Sequence, residues 1–193
     1  IIFVSIKTLS TLKLTPMILF KDALIYDGTG AEAFKGDVLI DNDRIVKVSE
    51  DIHPEEGWEV VDLKGLSVAP GFMDAHSHND WFAIKNEPQK YFEPFIRQGI
   101  TSFVAGNCGL SAVGFEADSQ HVDKVGGGLF SYTDTTGLYP TVSEFFSAID
   151  RNTPCNIAVL AGHCSARASV AGYENRPLTD AERTKMLGIM ENA

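Results

Sequence analysis

Residues 18–26 read Ile-Leu-Phe-Lys-Asp-Ala-Leu-Ile-Tyr, an apolar run interrupted at Lys21 and Asp22. That pattern predicts a largely buried strand. Asp27-Gly28-Thr29-Gly30 closes it, with glycines free to adopt positive φ. Residues 37–40 and 44–48 are two short apolar stretches on either side of Asp41-Asn42-Asp43, residue types that favour turns. They predict a hairpin. Residues 58–63 predict a further strand, ended by Lys64-Gly65. The opening third is therefore all β with closely spaced polar turns. This predicts a small, mostly antiparallel β-sandwich segment over residues 17–69.

The rhythm changes after Pro70. The spacing predicts a buried strand over 69–75, with Phe72 and Met73 inside, and a helix over roughly 88–98 that stops at Gly99. Pro94 is expected in the first turn of that helix, where proline is tolerated. A strand follows at 101–105, then a long loop containing Gly126-Gly127-Gly128. Thr141-Val-Ser-Glu144 reads as a capping box opening a helix through Ile149, and residues 156–161 as an apolar strand. Thr179-Asp-Ala-Glu182 is a second capping box, and Met186, Leu187 and Met190 give its helix an apolar stripe. Strands alternating with helices predict α/β architecture, with βα units around a parallel sheet over residues 70–193. Three such strands leave long sheet edges unpaired. The chain thus reads as the amino-terminal part of a longer protein, with residues 1–16 as a non-native or disordered extension ahead of a natural start at Met17.

Composition narrows the function. The 193 residues carry a formal net charge of −10, so nucleic acid and anionic membranes are not expected partners. Hydrophobic residues at 44% suit a globular core. Lys7, Ser10 and Lys13 interrupt the first apolar stretch, leaving neither a signal-peptide core nor a membrane span there. Three cysteines, Cys108, Cys155 and Cys164, make a poor disulfide framework and point to a reducing compartment, the cytoplasm.

Candidate chemistry concentrates in Pro70-Gly-Phe-Met-Asp-Ala-His-Ser-His-Asn-Asp80. Side chains at i and i+2 of a strand share a face, so a strand continued through His78 would project the His76 and His78 imidazoles together. Neutral imidazoles suit zinc, and Asp74 and Asp80 lie where they could orient the rings. The competing reading is a pair of surface histidines beyond a strand. Parallel α/β sheets carry function at the carboxyl ends of strands. Two further ends read Gly106-Asn-Cys-Gly109 and Gly162-His-Cys-Ser-Ala-Arg167. A Cys108 thiolate would make a third zinc ligand, against the alternative of a small buried hydrophobe. His163 and Arg167 are candidate substrate-binding residues. Cys155 and Cys164 are expected to be structural, and His53 and His121 solvated. Gly126–Gly128 follows no strand and opens no capped helix, so it is not a phosphate loop; chain mobility is its expected use.

Val68-Ala-Pro-Gly-Phe-Met-Asp-Ala-His-Ser-His78 resembles the first-strand metal motif of the amidohydrolase superfamily. The block ending Ile25-Tyr-Asp-Gly-Thr-Gly30 resembles that superfamily's amino-terminal sandwich. Residues 99–109 and Gly162-His163 resemble its N-acyl-D-amino-acid deacylase (D-aminoacylase) branch, and the likeness covers residues 18–193. The resemblance implies a TIM barrel beside a small β-sandwich, one or two zinc ions, and hydrolysis of small N-acyl-D-amino acids. His76 and His78 match the branch's histidine pair, and Cys108 its cysteine ligand. Two further histidines and a catalytic aspartate of the branch have no counterpart here, so no general acid/base is expected within these residues. Ala166 stands where the branch implies a larger apolar residue. The alternatives are a cyclic amidase related to dihydropyrimidinases and a catalytically inert fragment that only binds metal. Gly-Asn-Cys-Gly argues against the cyclic amidase, because such enzymes usually bridge two metals with a modified lysine.

Overall fold

The computed structural model describes residues 2–4 and 16–193, and the chain divides after Phe72 into two compact units. The expected extension over residues 1–16 falls largely outside the described residues. Its Ile2–Val4 segment (β1) does pair in parallel with Ser67–Pro70 (β6).

The first unit is built on Ile18–Ile25 (β2), Phe34–Asp41 (β3), Arg44–Ser49 (β4) and Glu59–Asp62 (β5). The expected hairpin is present: β3 and β4 pair antiparallel, from Asp37 opposite Ser49 to Asp41 opposite Arg44. The sheet as a whole is mixed rather than mostly antiparallel. β2 pairs antiparallel with β3, but its other edge receives two parallel strands in succession. β5 covers Ile18–Lys21 and β6 covers Leu24–Ile25. Chain direction on that edge depends on long-range closure, which local turn spacing does not encode.

A bulge in β2 between Phe20 and Ala23 reverses which alternate residues face which side. Ile18 and Phe20 therefore join Ala23, Ile25, Val38 and Ile40 in one apolar cluster, while Leu19, Leu39 and Ile52 pack in another. The bulge is held by Asp37. Its carboxylate accepts from the backbone amides of Asp22 (2.9 Å) and Ile52 (2.7 Å) and from Lys21 Nζ (2.7 Å). Burial alone would raise the Asp37 pKa. The Lys21 ammonium and the two amides outweigh it and hold the carboxyl below its ordinary value.

A second sheet is ordered Phe72–Asp74 (β7), Ile100–Ala105 (β8), Asn156–Val159 (β9), with β8 and β9 parallel. The strand expected over 69–75 is broken at Gly71: β6 joins the first sheet and β7 the second. Phe72 and Met73 are exposed, not buried, because β7 is an edge strand.

Thr101, Phe103 and Ala105 are buried on one face of β8. Gln89–Ile96 (α2) packs there through Phe92 and Phe95, whose rings meet Phe103 edge-on at 5.7 and 5.2 Å. Pro94 lies inside α2 and leaves the Lys90 carbonyl without its helical amide donor; Pro88 is the proline at the helix start. Both expected capping boxes form. Thr141 opens Val142–Ile149 (α3) and Thr179 opens Asp180–Asn192 (α5). On α5 Met186 is buried but Leu187 is exposed, so the apolar stripe is only partly covered.

Two helices escaped the sequence pattern. Asp80–Ala83 (α1) is a single turn, and His163–Ala171 (α4) begins where only a turn is expected. The buried face of α4 is small: Ser165, Ala166, Ala168, Ser169 and Ala171. That face admits close approach of the loop after β8, and Ala166 is fully buried there. No helix among the described residues is long and apolar enough to cross a membrane.

Candidate metal site

His76 and His78 do not extend β7, which stops at Asp74. They lie in the segment between β7 and α1, folded back so that the Ser77 amide donates to the Val104 carbonyl near the end of β8 (3.0 Å). The Asp74 carboxylate accepts from the His76 backbone amide (3.1 Å) and so shapes the turn.

Cys108 arrives from the end of β8 through a tight turn. Gly106 has φ 78°, Cys108 φ 58° and Gly109 φ 74°. A left-handed cysteine is uncommon, and such conformations cluster at functional sites. The turn locks onto the end of β9. A Cβ on Gly106 would lie 2.1 Å from the Leu160 carbonyl oxygen, and one on Gly162 would lie 2.4 Å from that of Gly109. Asn107 ties the pieces together, its side-chain amide donating to Val104 O (2.8 Å) and Ser77 O (3.4 Å). Its place inside Gly-Asn-Cys-Gly was the only trace of this bridging role in the sequence.

The result is a convergence of donors. Ligand atoms of His76, His78 and Cys108 all lie within 4.8 Å of one another, and His76 Nε2 is 3.3 Å from Cys108 Sγ. Bond lengths of about 2.0–2.1 Å for zinc–nitrogen and 2.3 Å for zinc–sulfur, at a tetrahedral angle, put two such ligand atoms about 3.5 Å apart. The His76–Cys108 pair already stands at about that spacing, and the three residues, within 4.8 Å, make a candidate zinc site whose mixed imidazole–thiolate character suits that metal.

Asp80, fully buried, lies two residues beyond His78 at the start of α1. Its Oδ2 accepts from the Ala112 amide (2.8 Å) and the Ser111 hydroxyl (3.2 Å), pinning the loop after Cys108. Burial raises its pKa above the ordinary carboxylate value, against the opposing effect of those donors. Among the described residues, neither its Oδ1 nor the buried Nδ1 of His78 has a hydrogen-bond partner. The expectation that Asp74 and Asp80 orient the imidazoles thus finds both carboxylates hydrogen-bonded to backbone amides nearby, not to the rings. Ser165 on α4 anchors the same loop, accepting from Ser111 N and donating to Ser111 O, both at 2.8 Å.

His163 is exposed at the first position of α4, at the end of β9. The Arg167 guanidinium donates to the carbonyls of Gly172 (3.4 Å), Glu174 (3.2 Å) and Arg176 (2.8 Å), bracing the turn after α4. Cys155 is buried and Cys164 half-buried. His53 is solvated, with 93% of its side chain exposed.

A histidine pair and a cysteine that converge beside the strand ends of an α/β unit form a candidate metal site, and comparison gives the family of the chain that carries it. The chain belongs to the amidohydrolase family, which matches residues 59–193. Among individual proteins it is similar to N-acyl-D-aspartate deacylase of Alcaligenes xylosoxydans xylosoxydans, 33% identical over 174 residues covering 89% of this chain and 33% of that one. It is also similar to D-aminoacylase of the same organism, 31% identical over 180 residues covering 91% and 35%. The fold resembles the crystal structure of N-acyl-D-glutamate deacylase from Bordetella bronchiseptica complexed with zinc and a phosphonate mimic of the tetrahedral intermediate. The TM-score is 0.67 at 29% identity, over 89% of this chain and 35% of that one. A crystal structure of D-aminoacylase matches with a TM-score of 0.69 at 28% identity, over 91% and 35%. The chain spans about a third of the length of the curated relatives it matches.

Proposed function

We propose that the protein containing these residues hydrolyses the amide bond of small N-acyl-D-amino acids, using zinc held by His76, His78 and Cys108. The observation that carries this reading is the convergence of the three ligand atoms within 4.8 Å. The names of the relatives supply the substrate class, and they favour linear acyl amino acids over a cyclic amide. In this reading residues 17–69 are part of a β-sandwich, and β7, β8 and β9 are the first strands of a TIM barrel whose catalytic face is their carboxyl end.

Zinc bound there would polarise an amide carbonyl and acidify a water toward neutral pH. The chain's own residues do the positioning. Asn107 and the Gly106 turn fix Cys108, and Asp74 shapes the turn that carries His76. In this reading His163, exposed at the end of the neighbouring strand, contacts substrate. Arg167 supports that subsite through the turn it braces. The proton shuttle is assigned to residues outside this chain. An odd, sparse set of three cysteines supports a reducing, cytoplasmic location.

The test is a comparison of amine release from N-acetyl-D-amino acids, with added zinc, by the full-length protein, its Cys108→Ser variant and residues 1–193 alone. Full-length protein is expected to turn over and Cys108→Ser to lose most of the rate. The 193-residue chain is expected to fall at least ~10²-fold below, the scale of a missing proton shuttle. Turnover by the 193-residue chain comparable to full length would overturn the assignment of the shuttle. Unimpaired Cys108→Ser would overturn the ligand set.

A further inference from the structure

The Gly126-Gly127-Gly128 stretch has a definite use in the structure. The preceding Val125 is fully buried in the core of the second unit, and its carbonyl oxygen lies 3.3 Å from Ser165 Oγ. The chain then reverses tightly. The amides of Leu129 and Phe130 both donate to the Gly126 carbonyl, at 3.2 and 3.1 Å, and Gly127 and Gly128 have φ of 68° and 74°. A Cβ on Gly126 would lie 2.1 Å from the Phe130 carbonyl oxygen, so this reversal excludes any side chain at position 126. Its product is the placement of one ring. Phe130 lies against the His78 imidazole, with centroids 5.2 Å apart and planes inclined at 31°. Behind it Phe130 stacks on Trp81 at 5.4 Å and 13°, and Trp81 is 1% exposed. Tyr132 closes the stack against Trp81 (5.1 Å) and Phe115 (5.3 Å).

His78 needs such a support. It lies beyond the end of β7, so strand geometry does not fix its side-chain direction. Metal-binding histidines are ordinarily oriented by a hydrogen bond through the second ring nitrogen. Among the described residues, neither a carboxylate nor a carbonyl hydrogen-bonds the buried Nδ1 of His78. The tilted contact with Phe130 restricts the ring plane in its place.

We propose that Phe130 is a positioning residue for His78: its ring, presented by the triple-glycine reversal and backed by Trp81, sets the imidazole plane from which His78 meets the metal. The inference rests on the metal-site reading above. It assigns to an aromatic wall the orienting role that a carboxylate or carbonyl usually fills.

The experiment uses the full chain and cobalt(II) as probe. It compares wild type with Phe130→Ala, Phe130→Tyr and Gly126→Ala. Three quantities are read: the cobalt dissociation constant, the thiolate–cobalt absorption band, and the metal-free imidazole proton resonances of His78, assigned by their loss in His78→Gln. Phe130→Ala is expected to weaken cobalt binding on the order of 10-fold, the usual cost of losing a ligand's orienting partner. It is also expected to shift the His78 resonances. Phe130→Tyr keeps the ring and is expected to restore both. Gly126→Ala keeps Phe130 but displaces it, and is expected to reproduce the Phe130→Ala resonance shift. Should one variant fail to fold by circular dichroism, the other still reads the contact. Wild-type affinity and resonances in the folded variants would overturn the inference and leave the metal site standing. Absence of the thiolate–cobalt band in wild type would overturn the metal site and the inference with it.

Discussion

Replacing Gly106 by alanine probes how the Cys108 turn is held to the sheet. The new Cβ would lie 2.1 Å from the Leu160 carbonyl oxygen and 3.0 Å from that residue's carbonyl carbon and amide nitrogen. A comfortable carbon–oxygen contact is about 3.3 Å, so the two backbones must part by about 1 Å. The neighbour cannot swing aside, because the Leu160 amide is bonded to the Ala105 carbonyl at 3.0 Å, one residue before the substitution. Three costs combine. Alanine at φ 78° costs about 1–2 kcal/mol. Weakening the strand-end hydrogen bond costs about 1 kcal/mol. Overpacking against fixed backbone adds about 1–3 kcal/mol. Together they come to on the order of 4 kcal/mol, a large part of a typical domain's stability. Gly128→Ala is the control, since φ is 74° there but no described residue lies within 4 Å of the added Cβ. It should show the backbone cost alone, about 1–2 kcal/mol. Urea unfolding followed by Trp81 fluorescence in a Trp58→Phe background isolates the second unit, since Trp58 belongs to the first. A Gly106→Ala destabilisation no larger than that of Gly128→Ala would refute the steric argument and the locking of the turn against β9.

Asp37→Ala should cost the first unit about 3 kcal/mol, because Lys21 and two backbone amides lose a buried acceptor. The Asp37 pKa is lowered on folding, so its contribution is present above the unfolded value of about 4 and lost as pH falls through the lower folded value. Unfolding midpoints measured from pH 7 to 3 should show that loss, and Asp37→Asn should flatten it; an unchanged slope would count against the account. Thr141→Ala removes one half of a capping box whose Glu144 amide donates to the threonine hydroxyl at 3.2 Å. It should cost about 1 kcal/mol and speed amide exchange in the first turn of α3, and unaltered exchange there would show the cap to be idle.

Much of this molecule was legible one residue at a time. The Thr141 and Thr179 capping boxes, the hairpin across Asp41-Asn42-Asp43 and the strand before Gly106 all form where local pattern placed them. Each rests on interactions within a few residues, which a sequence carries explicitly. His-x-His and Gly-Asn-Cys-Gly were likewise readable as donor groups, because imidazole and thiolate chemistry belongs to the side chain itself.

What tertiary structure decided is how distant segments meet. The apolar run through Gly71 carries no mark of the break that assigns β6 to one sheet and β7 to another, since both halves satisfy the same pattern of burial. The expected reason for paired imidazoles was strand alternation. The actual one is a fold-back held by Ser77, Asn107 and Val104, residues 27 or more positions apart across the two segments. α4 was hidden because its buried face is serine and alanine, whose value lies in letting another segment approach closely rather than in hydrophobicity. The glycines at 126–128 looked like mobility because a sequence records the absence of side chains and not what fills the space. Only the fold shows that Phe130 is what they bring to His78.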